Sequence, residues 1–123
     1  MLKEFIEFKN ILDKVYPNPP RDAPDKAFKM LKDTDSELLL YRIEDKLIGG
    51  CIIIKLSESI YMIEFVAILP EYQNKGYGKK LMEEVHKRKG LFLLESRNKR
   101  GFYKKLEYKQ MDGNWMYKLI DSP

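Results

Sequence analysis

The chain has 123 residues, 44% of them hydrophobic and 34% charged, with a formal net charge of +4, enough for one domain around one core. Its one cysteine, Cys51, excludes an internal disulfide and a zinc site of thiolates, and points to a reducing compartment. No apolar run approaches the roughly 18 residues of a membrane span, and MLKEFIEFKNILDKVY lacks a signal-peptide core, so a single cytoplasmic domain over 1–123 is expected.

Leu2, Phe5, Ile6, Leu12, Val15 and Tyr16 recur at helical spacing and predict an amphipathic helix over 2–16. YPNPPRDAP breaks it. A short second helix is expected from Asp25, with Phe28 and Leu31 inward. ELLLYRI (37–43) and KLIGGCIIIKL (46–56) read as strands joined by a tight turn at Glu44-Asp45. Ser57-Glu58-Ser59 turns the chain into a strand over 60–69. A helix follows over about 77–89, with Tyr77, Leu81, Met82 and Val85 on one face. LFLLE (91–95) reads as a short buried strand and 98–105 as a brief helix. EYKQM and NWMYKLI then pair across Asp112-Gly113, a strong hairpin signal. This order implies an α/β or α+β domain on a mixed sheet.

Charge is unevenly spread. Residues 75–109 hold twelve Lys/Arg against four Asp/Glu, and the rest hold eleven against fifteen. That basic third is either a solvated face or a site for a polyanion.

The sharper feature lies at its start. QNKGYGKKL (73–81) follows the apolar strand and Pro70 and opens the helix. Free N–H groups and the helix dipole make such an end attractive to anions, so lysines there suggest a bound negative charge. A dinucleotide fingerprint needs glycine where Leu81 stands, and a P-loop needs Ser or Thr where Lys80 stands. The remaining pattern, Gln73-x-x-Gly76-x-Gly78, resembles motif A of the GNAT superfamily, the Gcn5-related N-acetyltransferases. GFYKKLEY (101–108) resembles that family's late motif, in which a short helix ends in Phe-Tyr and leads into Lys-Leu-Gly-Tyr/Phe. The resemblance spans about 37–119.

The resemblance implies the GNAT fold, a mixed and mostly antiparallel sheet flanked by helices. It implies transfer of acetyl from acetyl-CoA, as co-substrate and without a metal, to an amine by direct attack in a ternary complex. Gln73, Asn74, Lys75, Gly76, Tyr77, Gly78 and Lys79 would hold the CoA pyrophosphate. The backbone of Val66, Ala67 and Ile68, at a strand bulge, would polarise the acetyl carbonyl. Tyr103 matches the tyrosine near the cofactor sulfur. The family asparagine seven residues before it is replaced by Ser96, with Asn98 two residues on, so either is a candidate for the pantetheine arm. Glu107 stands where the family has glycine. The family's first strand normally precedes the first helix, whereas here a helix comes first. One sheet edge is therefore absent or supplied by a second subunit, and a homodimer is one expectation.

Glu64 is the only charge in 60–69, and strict alternation groups it with Met62, Val66 and Ile68. It is a candidate general base, a binder of a cationic acceptor, or a solvated strand residue. His86 has no patterned partner and reads as a surface residue, and Trp115 and Tyr117 as core and rim. The acceptor is expected to be a small-molecule, peptide or protein amine, with no membrane partner. Two rivals stand beside the enzyme: a non-catalytic acyl-CoA-binding module of the same fold, and a nucleic-acid-binding domain using 75–109. The second lacks interleaved stacking aromatics and is the weaker.

Overall fold

The structure, a computed structural model, describes residues 2–16, 29 and 35–121. The helix expected from Asp25, with Phe28 and Leu31, lies outside the described residues. Helix α1 spans Leu2–Val15, followed by strands β1 (Ser36–Ile43), β2 (Lys46–Ser57) and β3 (Ile60–Ile68). A 3₁₀ turn at Pro70–Tyr72 leads into α2 (Tyr77–Val85). Then come β4 (Gly90–Glu95), α3 (Arg100–Lys105), β5 (Lys109–Gln110) and β6 (Trp115–Ile120). The six strands form one sheet in the order β1-β2-β3-β4-β6-β5. Among the described residues only β3 and β4 are parallel; every other pairing is antiparallel. This is the mixed, mostly antiparallel α+β fold expected, with β1 at an open edge among the described residues.

Two apolar layers hold the sheet from opposite sides. On one side Phe5, Phe8, Ile11 and Leu12 of α1 pack on Leu47, Ile52, Ile54, Ala67 and Leu69. Phe8 and Leu12 are fully buried, and each contributes about 2–3 kcal/mol by removal from water. Ile6, expected inward, is 49% exposed. The buried stripe runs through 5, 8 and 12, and position 6 falls about 100° away from it. On the other side Leu81, Met82 and Val85 of α2 join Cys51, Ile53, Ile63, Phe92, Leu94, Tyr103, Tyr108 and Met116. Strand β2 is covered on both faces, which is why 47–54 reads as an unbroken apolar run.

Local chemistry sets the element ends. Glu44 and Asp45 both take positive φ (49° and 69°), as a two-residue hairpin loop needs. Helix α2 stops at Val85, short of the expected 89. The Arg88 guanidinium takes the Glu84 and Val85 carbonyls at 3.0 and 3.1 Å, capping the last turn. Its other nitrogen reaches both carboxylate oxygens of Glu37 on β1 at 2.7 Å. The strand expected over 107–111 shrinks to two residues, because Glu107 sits at φ +70° and turns Tyr108 into the core.

Candidate active site

Strands β3 and β4 pair only at Ile60–Leu91, Tyr61–Phe92 and Met62–Leu93. Beyond that they part, leaving a V-shaped opening between 63–68 and the end of β4. Strand β4 meanwhile stays paired to β6 along its whole length, from Gly90–Ile120 to Glu95–Trp115.

A bulge in β3 lies along this opening. Gly50 pairs with Ala67 and Ile52 with Glu64, so Phe65 and Val66 together face Cys51. Phe65 takes φ +54°, a conformation that costs a non-glycine residue about 1–2 kcal/mol. The extra residue takes backbone groups out of the ladder, as bulges beside active sites do. The Val66 carbonyl is one of them, since it accepts the Tyr16 hydroxyl at 3.5 Å.

The bulge also corrects the expected grouping of Glu64. Met62 packs on the α1 side and Ile63 on the α2 side. Glu64, opposite Ile52, shares the α1 face, and Phe65 packs there too. Val66 and Ile68 lie on the other face. One inserted residue reverses the phase of everything after it.

Glu64 is half-buried, and among the described residues no cation or hydrogen-bond donor meets it. Burial, and then the charge of Glu95, raise its pKa. Both effects disfavour the carboxylate and make it a better proton acceptor. Tyr16, just past α1, has its phenol pKa raised by burial and then by Glu64. Tyr103 is 7% exposed, with its pKa raised by burial first and then by Tyr16 and Cys51. It stays protonated at any working pH. Cys51, fully buried opposite the bulge, is pushed up to about 12 by burial and is no nucleophile.

The glycine loop closes the same end of the opening. The Gln73 amide donates to the Ile68 carbonyl at 2.9 Å, so it anchors the loop to β3 rather than pointing at an anion. Asn74 (φ +63°) and Gly76 (φ +87°) turn the backbone into α2. No side chain caps that helix, so its first N–H groups stay open. Lys75 and Lys79 are exposed beside it. Tyr77 is half-buried, its ring 6.2 Å from that of Tyr41 and 5.9 Å from that of Tyr72. Open N–H groups, a glycine turn and flanking lysines fit a pyrophosphate. Gly78 has a further role: a Cβ there would lie 3.3 Å from the Phe102 ring, so the glycine lets α3 sit against α2.

Ser96 is buried, and its Oγ accepts the Lys99 N–H at 3.0 Å, so it serves the start of α3 rather than the opening. Asn98 is exposed. Arg100 bonds the Asn114 side chain and ties α3 to the turn before β6. His86 is not the surface residue expected. It is half-buried, and its Nε2 shares a 2.7 Å hydrogen bond with the Tyr108 hydroxyl. Burial and then Lys118 depress its pKa to about 4, so it is neutral near pH 7. Sequence reasoning missed His86 and Tyr16 because each meets its partner across 22 and 50 residues, with no local pattern. Among the described residues no helix is long and apolar enough to cross a membrane, and no His/Cys/Asp/Glu cluster suits a metal ion.

Comparison with known proteins agrees with this architecture. Residues 34–110 match the family model described as the acetyltransferase (GNAT) domain. A search of curated proteins finds no match. Among solved structures, Tetrahymena Gcn5 is similar at a TM-score of 0.81 and 22% identity, covering 99% of this chain and 89% of that one. The aminoglycoside 6'-N-acetyltransferase of Enterococcus faecium gives 0.79 at 14% identity, over 100% and 94%. The ribosomal-protein-S18-alanine N-acetyltransferase of Escherichia coli gives 0.78 at 16%, over 100% and 92%.

Proposed function

The chain belongs to the GNAT acetyltransferase family, and from that premise we propose that it is an acetyl-CoA-dependent N-acetyltransferase acting on an amine. The observation that carries this reading is the bulge at Phe65–Val66 on the lip of the opening between β3 and β4, beside the uncapped start of α2. Two structural neighbours have been solved with coenzyme A or acetyl-CoA, at 15% and 14% identity.

Acetyl-CoA supplies an activated thioester. The open N–H groups of α2, with Lys75 and Lys79, hold its pyrophosphate. The backbone left out of the ladder at Val66, with Ala67 and Ile68 beside it, faces the carbonyl oxygen as it gains negative charge. Glu64, on the α1 face, takes a proton from the acceptor ammonium, directly or through water. Tyr103, on the opposite face, donates its phenolic hydrogen bond to the sulfur as negative charge builds there; burial makes the phenol a weak acid, so any proton it passes to the thiolate is replaced from solvent or from the acceptor ammonium.

The test is thermal melting with CoA, acetyl-CoA and adenosine, followed by free-thiol release from acetyl-CoA against a panel of primary amines. CoA at 100 times its Kd stabilises by about 2.7 kcal/mol, which is several degrees, and adenosine does far less. Equal shifts with CoA and adenosine, or none at millimolar CoA, overturn the phosphate assignment. CoA binding without thiol release for any amine overturns the catalytic one.

A further inference from the structure

In the reading above, two helices carry the two fixed points of the reaction. Helix α2 opens on the phosphates, and α3 carries Tyr103. The arm that joins phosphate to sulfur has a fixed covalent length, so the separation of these points must be held if the phenol is to meet the sulfur. At the near end, Gly78 of α2 accommodates the Phe102 ring of α3. At the far end stands a polar contact that core packing does not require. His86, which caps the C-terminal end of α2, shares its Nε2 with the Tyr108 hydroxyl at 2.7 Å. Tyr108 is in turn bound to Tyr103. Its N–H donates to the Tyr103 carbonyl at 3.0 Å, and the two rings meet edge to face at 5.6 Å and 65°. The imidazole is itself wedged edge-on against Phe92, at 5.2 Å and 77°. Lys118 of β6 donates to the Leu106 carbonyl at 2.5 Å, which pins the turn between Tyr103 and Tyr108.

We infer that the His86–Tyr108 hydrogen bond is a positioning strut, setting Tyr103 at a fixed place relative to the phosphate-binding end of α2. The inference rests on the assignment of Tyr103 as proton donor to the CoA sulfur. Apolar packing fixes how much volume the Tyr108 ring fills. A directional bond to a wedged partner fixes where the ring points, and so where the Tyr103 ring beside it can lie. Phenylalanine would fill the same volume without that constraint.

The experiment uses the full chain labelled with carbon-13 at the tyrosine Cζ atoms, with Tyr103 assigned by its loss in Tyr103→Phe. Two probes are compared, CoA and desulfo-CoA, which differ only at the sulfur. In the wild type the Tyr103 signal differs between them, because the phenol meets the sulfur. In Tyr108→Phe, and separately in His86→Leu, that difference falls by about half or more, CoA affinity by calorimetry stays within about threefold, and the double variant is no worse than either. His86→Gln, which still offers a donor and acceptor to Tyr108, keeps most of the difference. The two single variants break the same bond from opposite sides, so either one that folds decides the question. A difference fully retained in a folded Tyr108→Phe or His86→Leu protein overturns the strut alone. No difference in the wild type overturns the assignment of Tyr103 beneath it, and the strut with it.

Discussion

Glu107 offers a clean test of the turn that follows Tyr103. It sits at φ +70°, is exposed, and stands where the family carries glycine. A side chain in this left-handed region costs about 1–2 kcal/mol. Glycine removes that cost but gives back about 0.5–1 kcal/mol through the greater freedom of its unfolded chain. The net expectation for Glu107→Gly is a gain of about 0.5–1 kcal/mol. With 123 residues and an unfolding entropy of about 2.1 cal/mol/K per residue, that is roughly 2–4 °C in Tm. Glu107→Ala keeps the Cβ and serves as the control, changing stability by less than about 0.5 kcal/mol. Thermal melts of the three proteins, followed by circular dichroism at one pH, make the comparison. A glycine variant no more stable than the alanine variant would refute the reasoning, since both lose the same exposed carboxylate and only one relieves the backbone.

Four further outcomes follow from the site. Gly76→Val, strained at φ +87° although the space around it is open, should lower Tm through a loss of about 1–2 kcal/mol of stability and lose the CoA-induced shift, whereas Gly78→Val should lower Tm because its side chain meets Phe102; melts with and without CoA measure both effects. Tyr103→Phe should keep CoA affinity within a few-fold and lower kcat about 10²-fold, read by thiol release with a good acceptor. Glu64→Gln should remove the acidic limb of the kcat/KM profile. It should also melt higher at neutral pH, because an ionised carboxylate with a raised folded pKa costs stability, and the gain should close as pH falls below about 4.5, where wild type is protonated in both states. His86 titrates near 4 folded and 6.5 unfolded, so the unfolded chain binds the extra proton between those values and stability falls as pH drops through that window; His86→Gln should flatten that part of the Tm-versus-pH curve.

The strands, α1, α2 and the two hairpin turns were legible because burial imposes a period and because turns at Asp112-Gly113 and Glu44-Asp45 carry their own residue signals. The bulge was expected from family resemblance, but its consequence for Glu64 was not readable. Phe65 is a poor candidate for positive φ, and only the pairing of Gly50 with Ala67 and Ile52 with Glu64 shows where the extra residue sits. Gln73 and Gly78 were recognised as motif positions with the wrong immediate partners. A motif records which residue types occur, whereas the Ile68 carbonyl and the Phe102 ring that they meet are set by tertiary packing. His86 and Tyr108 lie on different elements, and nothing in the helix pattern marks their bond.

The bulge has a consequence for how substitutions and deletions are tolerated. It acts as a phase shifter between two cores. Before it, even-numbered residues of β3 serve the α1 layer; after it, Ala67 and Leu69 do, while Val66 and Ile68 serve the α2 layer. Deleting a single residue at 65–66 would restore a uniform strand and leave Ala67 and Ile68 on the sides they already serve, with the Ile68 carbonyl still facing Gln73. Straightening the strand with its full residue count would instead send both to the opposite side and place a small side chain where the α2 layer needs a large one. The two apolar layers would thus absorb the loss of one residue here, and that loss would fall on the unpaired backbone of the opening alone.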